Sequence, residues 1–237
     1  SAAEAIKYAA NIMLAGRISL INELANICQL LGVDINDVRR GIGYDHRIGF
    51  EFLYPGIGFG GSCLPKDLNA MIRLAGNHGY RARLLEAIAE VNHDQRLLPA
   101  QWLAAAIGED KLSDSTVAIW GLSYKPGTDD IREAPALELI DQLLQAGVTV
   151  RVHDPAANAA VCAVFADRIR CFDDQYQSLE GADALLICTE WGPFRRPDFA
   201  RIKALLRRPL IIDGRNLFEP QLLADLGFEY HSVGRPA

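Results

Sequence analysis

A glycine-rich segment, GIGFGGSCLPKDL, places one cysteine among small residues and close to two ionisable groups. Cys63 follows four glycines, and Lys66 and Asp67 come within about one helical turn of it. Pro65 is typical of a first helical turn, which predicts that Cys63 lies near a helix N-terminus, where a thiolate is stabilised. The segment therefore predicts a nucleophilic cysteine. The alternative is a small buried cysteine that packs beside a turn.

Lys7 and Asn11 form a second candidate pair near the start of the chain. They are four residues apart in a segment with helical periodicity, so they share one face of a predicted helix. Ala10 and Leu14 continue this face, which predicts that it is partly buried. A buried amine, held in place by Asn11, could stabilise an oxyanion. The alternative is that Lys7 extends along the surface and Asn11 is solvated.

The segment GLSYKPGTDDIREA follows a predicted strand and precedes a predicted helix, as the phosphate loop of a dinucleotide-binding fold does. Only Gly121 matches the G-x-G-x-x-G pattern, because Ser123 and Tyr124 stand where glycines would let a pyrophosphate approach. Lys125 and Arg132 instead suit phosphate or acidic groups. We interpret the segment as a nucleotide-binding loop that differs from the usual dinucleotide type. The alternative is a long charged turn.

Helical periodicity without a strand pattern marks the first part of the chain, residues 1–108. A loop is predicted for the glycine-rich residues 43–64. The other predicted elements are a helix from Ala3 to about Leu31 stopped by Gly32, a short helix with Asp34 as N-cap, a helix from Pro65 to about Asn77, and a helical stretch from Ala82 to Ile107 that Pro99 should kink or restart.

Residues 109–237 alternate between buried-type strands and amphipathic helices. The strands are predicted in STVAIWGL, VTVRVHDP, ADALLICTEW and PLIIDGRN. This alternation predicts a doubly wound parallel sheet, and ligands of such sheets bind beyond the carboxyl ends of the strands. The predicted class is therefore α/β, with an all-helical domain over 1–108 and a Rossmann-like domain over 109–237. Residues expected at the ligand edge are 121–132, Asp154, 189–191 and 213–216.

Composition excludes several functional classes. The chain has 237 residues and a net charge of −6, which argues against a general nucleic-acid binder. No apolar run approaches the roughly 20 residues of a membrane span. Five cysteines with irregular spacing and no C-x-x-C pair predict neither a disulfide framework nor a metal site, and they favour a cytoplasmic protein. Because the chain begins without Met inside a helical pattern, we expect it to be a piece of a longer protein.

Four motifs, in chain order, resemble the nucleotide-sugar 6-dehydrogenase family: AEAIKYAAN, DHRIGFEFLYPGIGFGGSCLPKDL, GLSYKPGTDDIREAP with VHDP, and ICTEW with IIDGRN. Enzymes of that family oxidise the sugar C6 alcohol to a carboxylate in two NAD-dependent steps, through a cysteine thiohemiacetal and thioester. The resemblance implies that Cys63 is this nucleophile. It also implies that Lys7 and Asn11 stabilise the oxyanion, and that Asp67 acts as a base or orients water during hydrolysis.

The same resemblance implies binding roles for further residues. The loop that wraps the nucleotide sugar would contain Phe52, Leu53, Tyr54 and Gly60, and the second domain would contribute Lys125 and Arg215. Arg132 would reach toward NAD, and Arg47 would reach the sugar site of a neighbouring subunit across a homodimer formed by the helical domain. The family's N-terminal NAD-binding domain has no counterpart in this chain, so NAD would be bound mainly elsewhere, and the chain alone should not turn over substrate.

The identity of the sugar and the class of function leave alternatives. CTEW resembles the UDP-glucose branch of the family, whereas the cysteine block and part of GTDDIRE also resemble GDP-mannose dehydrogenases. A different class is a non-catalytic module for dimerisation and nucleotide-sugar binding. A further alternative is that the C-terminal sheet itself binds NAD, with Asp154 as the ribose-binding acid, although the missing glycines argue against it.

Overall fold

The computed structural model describes residues 2–236, in which α-helices precede a β-sheet. Over residues 2–107, called the helical half below, the α-helices are α1 (Ala2–Leu31), α2 (Ile35–Gly43), α3 (Leu64–Asn77) and α4 (Arg83–Ile107). These are the helices that the apolar spacing predicts, and residues 44–63 form the predicted loop. The helix α1 packs against α3 and α4, so the glycine-rich loop lies between packed helices.

Local signals place the ends of these helices. Gly32 follows α1 with a φ of +69°, a conformation that glycine adopts without strain. The Asp34 side chain accepts a hydrogen bond from the Asn36 amide and caps α2, as predicted. By contrast, α4 continues through Pro99, so the predicted restart as a second helix is wrong. Proline costs about 3 kcal/mol in a helix interior, and the packing of α4 against α1, α3 and α5 compensates for it.

The sheet half, residues 109–236, contains six parallel strands. They are β1 (Thr116–Trp120), β2 (Thr149–His153), β3 (Arg170–Cys171), β4 (Ala184–Ile187), β5 (Leu210–Asp213) and β6 (Glu229–Ser232). The helices are α5 (Pro135–Gln145), α6 (Asn158–Phe165), α7 (Phe199–Leu205) and α8 (Pro220–Asp225). The strand order β3-β2-β1-β4-β5-β6 confirms the predicted doubly wound sheet. Successive strands are added on one side of β1 up to β3 and on its other side from β4 onward, and such sheets bind ligands at the switch between β1 and β4.

One pair of cysteines corrects the sequence prediction. Cys162 on α6 and Cys171 on β3 form a disulfide, with Cα atoms 6.4 Å apart. The expectation that the cysteines stay unpaired is therefore wrong at this place. The physical reason is that β3 pairs with β2 and α6 packs against β3, which brings together two positions nine residues apart in sequence. The sequence did not predict β3 itself, so it could not predict this contact.

The two halves share a hydrophobic core. The largest cluster of buried side chains joins Ile21, Ile57 and Leu103 of the helical half to strand residues such as Ile119 and Ile212. The predicted boundary between residues 108 and 109 therefore stays a prediction, because burial does not separate the halves. None of the described helices is both long and apolar enough to cross a membrane.

Candidate active site

Cys63 occupies the N-cap position of α3 and is exposed. Its carbonyl accepts the first helical hydrogen bond, from the Asp67 amide at 2.9 Å. Cys28 and Cys188 are free but buried, and burial raises the pKa of the Cys188 thiol to about 12. Among the described residues, Cys63 is thus the exposed free thiol. The alternative of a buried structural cysteine at this position is wrong.

Asp67 is fully buried beneath the cysteine and joins α3 to α1. Asn11 Nδ2 donates to Asp67 Oδ2 at 2.6 Å, and Lys66 Nζ lies 2.9 Å from Oδ1. Burial alone would raise the pKa of Asp67, but the hydrogen bonds from Lys66 and Asn11 more than offset it and leave this pKa below its ordinary value. The carboxylate is therefore ionised at neutral pH and is held about one turn from the thiol.

Lys7 is exposed rather than buried, which corrects the predicted buried amine. Asn11 and Leu14 are partly buried on the shared face, whereas Lys7 and Ala10 are exposed. The reason is that α3 covers α1 at Asn11 and leaves the preceding turn open. The charge of Lys7 makes a small contribution to the lowered pKa of Asp67, after those of Lys66 and Asn11, so the ammonium lies within electrostatic range of this carboxylate.

Arg132 brings a second positive charge to the cysteine from the sheet half. Its backbone carbonyl accepts a hydrogen bond from the Gly61 amide at 2.9 Å. Its guanidinium binds both carboxylate oxygens of Asp130 and holds the pKa of Asp130 at about 2. The pKa of Arg132 is raised mainly by Asp130, with a smaller contribution from Cys63, so Arg132 lies within electrostatic range of the thiol.

Two glycines make this approach of the halves possible. A Cβ atom on Gly60 would stand 2.0 Å from the Glu133 carbonyl oxygen. A Cβ atom on Gly61, where φ is +84°, would stand 2.7 Å from the Tyr124 ring. Gly60, which the resemblance assigned to the sugar-binding loop, is therefore buried in the seam between the halves. We use the word seam below for the contact of residues 58–63 with residues 124–134.

The other predicted loop residues lie on residues 44–55. Phe52 has a φ of +60°, and its ring lies 6.0 Å from that of Tyr54, which is half exposed. Leu53 is 3% exposed and belongs to the core, its amide donates to the Phe50 carbonyl and its carbonyl accepts from Arg39, so Leu53 supports the loop rather than facing a ligand. Arg47 is exposed and forms an ion pair with Asp45. It lies 16 positions before Cys63, in the stretch between α2 and α3.

Lys125 and Arg215 lie after β1 and β5, at the carboxyl edge of the sheet, as predicted. Lys125 is exposed, and its ammonium lies 5.5 Å from the centre of the Tyr124 ring. The Arg215 guanidinium donates to the Cys188 carbonyl at 2.7 Å and to the Gly58 carbonyl at 3.1 Å. Arg215 therefore also attaches the sheet half to the glycine-rich loop.

Asp154 tests whether the sheet half fits NAD in the usual way. It is 2% exposed, one oxygen accepts from the Leu122 amide (2.6 Å) and from Trp191 Nε1 (3.0 Å), and the other accepts from the amides of residues 156 and 157. A ribose hydroxyl would need one of these oxygens. The space beside Gly121 is also filled by protein, since a Cβ atom on this glycine would lie 2.6 Å from Thr189. These residues do not fit a dinucleotide in the usual mode.

Sequence reasoning missed a group of polar side chains that hold the glycine-rich loop. Asn22 accepts from the Gly56 amide at 2.8 Å, and Gln95 donates to the Gly56 carbonyl at 2.8 Å. Asn92 and Arg96 bind the Phe59 backbone. A signal was present, because residues 92 and 95 follow the apolar Ile88 at helical spacing and so share its buried face. Within residues 2–236, no cluster of three or more His, Cys, Asp or Glu could hold a metal ion.

Two models of known protein families match the chain. The model of the UDP-glucose/GDP-mannose dehydrogenase central domain matches residues 1–94, and the model of that family's UDP binding domain matches residues 118–220. The chain belongs to the UDP-glucose/GDP-mannose dehydrogenase family. The resemblance predicted from the four motifs is thereby confirmed, as is the oxidoreductase class of the family.

Individual members of the family match along nearly the whole chain. UDP-glucose 6-dehydrogenase of Pseudomonas aeruginosa is 50% identical over 99% of this chain and 52% of its own length. UDP-glucose 6-dehydrogenase TuaD of Bacillus subtilis is 44% identical over 99% of this chain and 50% of its own length. The structure of a UDP-glucose dehydrogenase from Pyrobaculum islandicum superposes with a TM-score of 0.87, at 32% identity, over 98% of this chain and 50% of that one. The chain thus spans about half the length of these relatives.

Proposed function

We propose that this chain is part of a UDP-glucose 6-dehydrogenase, which oxidises the C6 alcohol of UDP-glucose to the carboxylate of UDP-glucuronate. The observation that carries the proposal is the exposed Cys63 at the start of α3, with the ionised, buried Asp67 in the first turn of that helix and Arg132 within electrostatic range. The names of the curated relatives from P. aeruginosa and B. subtilis support UDP-glucose as the substrate.

The Cys63 thiolate adds to the C6 aldehyde and forms a thiohemiacetal, which retains the aldehyde. Oxidation of this adduct gives a thioester, and attack by water releases the carboxylate and restores the thiol. Asp67, ionised and buried, orients that water or accepts its proton. Lys7 and Asn11, on the neighbouring face of α1, stabilise the oxyanion at C6. NAD, when bound, accepts the hydride in each oxidation.

The nucleotide sugar would bind at the carboxyl edge of the sheet, across the seam from Cys63. Lys125 and Arg215 would contact the nucleotide sugar from that edge, because both follow strands there and both are cationic. Phe52, Leu53, Tyr54 and Gly60 belong to the loops that would enclose it. NAD would be bound mainly by a domain outside this chain, with Arg132 as a contact from this side.

The helical half would form a homodimer through α1. Large apolar side chains recur every seven residues on this helix and remain exposed within the chain: Ile6, Met13, Leu20 and Ile27. Seven residues are close to two helical turns, so these side chains form one stripe. A second copy would cover the stripe and bring Arg47 to the neighbouring sugar site. The proposed location is the cytoplasm, where a disulfide such as Cys162–Cys171 is unusual.

The decisive experiment uses the intact protein that contains this chain, with UDP-glucose, GDP-mannose and NAD. We expect acid formation from UDP-glucose with two NADH per molecule, because an alcohol loses two hydrides on the way to a carboxylate. Preference for GDP-mannose would move the protein to the other branch of the family. Binding of UDP-glucose without any NADH would leave a nucleotide-sugar-binding module and reject the enzymatic proposal.

Light scattering tests the dimer separately. Leu20→Glu should convert a dimer into a monomer, because it places a charge in the apolar stripe. Leu222→Glu, at an exposed leucine on α8, is the matched control and should leave the mass unchanged. A wild-type monomer at micromolar concentration would reject both the dimer and the role of Arg47.

A further inference from the structure

The backbone of Phe59 is bound on both sides by one face of α4. Asn92 Oδ1 accepts from the Phe59 amide at 2.8 Å, and Asn92 Nδ2 donates to the Phe59 carbonyl at 3.2 Å. Arg96 Nη2 donates to the same carbonyl at 2.6 Å. Asn92 and Arg96 are one helical turn apart and both are buried. The peptide that lies four residues before Cys63 is therefore held from α4.

Arg96 also reaches across the seam to the sheet half. Its Nη2 lies 3.3 Å from the Glu133 carbonyl oxygen, and its Nη1 lies 3.1 Å from Glu138 Oε2. The Glu133 carboxylate is 3.7 Å from the same Nη1. Because only 10% of its side chain is exposed, this guanidinium depends on these acceptors to offset the loss of its hydration. The buried guanidinium of Arg96 thus connects α4 to the glycine-rich loop and to the start of α5.

We propose that Arg96 is a positioning residue for Cys63, a role that rests on the proposed function. It fixes the Phe59 peptide relative to Glu133, and the Gly61 amide then meets the Arg132 carbonyl at 2.9 Å. These contacts set where the Cys63 sulfur stands relative to Arg132 and to a sugar bound at the sheet edge. A guanidinium suits this role because its planar fork of donors serves a carbonyl and a carboxylate together, which an ammonium does not.

The test compares Arg96→Met and Arg96→Lys in the intact protein, with kcat expressed per alkylatable Cys63. We expect Arg96→Met to lower kcat by about 10- to 100-fold, the loss that a small misplacement of a reacting group produces. The KM for UDP-glucose should stay within about threefold, because Lys125 and Arg215 are untouched. Arg96→Lys should recover part of kcat, and millimolar guanidinium should restore part of the activity of Arg96→Ala.

Arg207→Met is the matched control, since Arg207 is ion-paired with Asp183 at the amino edge of the sheet, away from the seam. It should leave kcat unchanged. A wild-type kcat in Arg96→Met would overturn the proposal, as would a loss of activity that only follows the loss of folded protein. If Arg96→Met does not fold, Glu138→Gln carries the test: kcat should fall severalfold, and an unchanged value would overturn the proposal.

Failure of the proposed function can be told apart from failure of this inference. An inactive wild-type protein would reject the enzymatic proposal alone. The alkylation rate of Cys63 by iodoacetamide would then still test the position of the thiol beside Arg132. It should be slower in Arg96→Met than in Arg207→Met. Equal rates would overturn the positioning role whether or not the enzyme turns over substrate.

Discussion

The two halves of the chain hold their loops with different chemical groups. In the helical half, the amides of Asn22, Asn92 and Gln95 bind the backbone of the glycine-rich loop. In the sheet half, a buried carboxylate stands at the end of a strand and gathers backbone amides. Asp154 holds the loop after β1, and Asp213 accepts from the amides of Arg215 and Leu217 at 2.9 and 2.6 Å after β5.

This difference has a physical consequence. An amide does not titrate, so the hydrogen bonds from Asn22, Asn92 and Gln95 to the glycine-rich loop persist over a wide range of pH. A carboxylate accepts amide hydrogen bonds best as an anion, and such bonds hold the pKa of Asp154 below its ordinary value, so the loop after β1 depends on ionisation. Burial instead raises the pKa of Asp213, although amides of the loop after β5 donate to it. The amide contacts of the glycine-rich loop are thus insensitive to acid, whereas the contacts of Asp154 are not; Asp67, whose pKa also lies below its ordinary value, is the acid-sensitive group near Cys63.

The largest effect is expected from a substitution of Cys63, because the proposed chemistry takes place in the helical half. Cys63→Ser should lower acid formation by roughly a thousandfold or more, because the covalent adduct cannot form. Binding of UDP-glucose, followed by thermal shift, should remain. In the wild type, mass-resolved alkylation at neutral pH should label Cys63 before Cys28 and Cys188, which are buried. Normal turnover by Cys63→Ser would remove the covalent mechanism.

The next effect separates the two kinds of loop support. Burial tends to raise the pKa of Asp154, but amide hydrogen bonds from Leu122 and others hold it below its ordinary value. Its stabilisation is therefore fully present above the unfolded pKa of about 3.9, and is lost as the pH falls through the lower folded value. Asp154→Asn should cost about 3 kcal/mol of unfolding free energy at neutral pH, and less below about pH 4.

Asn92→Ala supplies the comparison for that measurement. It removes two hydrogen bonds to Phe59 and should cost about 1–3 kcal/mol. Because no ionisable group is removed, the difference from the wild type should be the same at neutral and acidic pH. Urea unfolding across this range checks both variants. Parallel pH profiles for Asp154→Asn and Asn92→Ala would show that the contrast between the halves is wrong.

A smaller effect concerns the disulfide, which only the sheet half contains. Reduction of Cys162–Cys171 should lower the free energy of unfolding by about 2 kcal/mol, since the loop that it closes is short. Cys171→Ser should reproduce the loss without added reductant. Intact mass under non-reducing conditions, with and without alkylation, checks that the bond forms. Two further free thiols in the oxidised protein would contradict the pairing.

The smallest effect lies at the sheet edge. Lys125→Ala should weaken UDP binding by about tenfold, since it removes one cation while Arg215 remains. Lys111→Ala is the matched control, because this exposed lysine precedes β1 at the opposite edge of the sheet. Thermal shifts with UDP and with NAD follow the change. An equal UDP shift in Lys125→Ala and wild type would move the nucleotide to another part of the chain.

Periodicity predicted the four inner strands, including the partly exposed β2, and it missed the two edge strands. The strands β1, β4 and β5 are runs of buried apolar residues, so the sequence identifies them. By contrast, β3 has two residues, and β6 alternates buried and partly buried side chains that include Glu229 and His231. Both are edge strands, where pairing rather than hydrophobicity defines the strand.

The candidate site was predictable where its residues are neighbours in sequence. Cys63, Lys66 and Asp67 lie in one segment, and the helix signal at Pro65 placed the thiol at an N-terminus. The hydrogen bond between Asn11 and Asp67 joins residues 56 positions apart, and only the packing of α1 on α3 reveals it. The contacts of Arg96 were not predicted for the same reason, because no local pattern shows which carbonyl a buried guanidinium donates to.

The end of the described chain has a mechanical consequence for the seam. After β6 the chain returns to the helical half, where the Gly234 carbonyl accepts from the Ile35 amide at 2.8 Å and Arg235 binds Asp34. The sheet half is therefore attached to the helical half at both ends of its own sequence, here and at the end of α4, in addition to the core that the halves share. Both ends are fixed beside helices of the same half, which restrains the distance between the two sides of the seam.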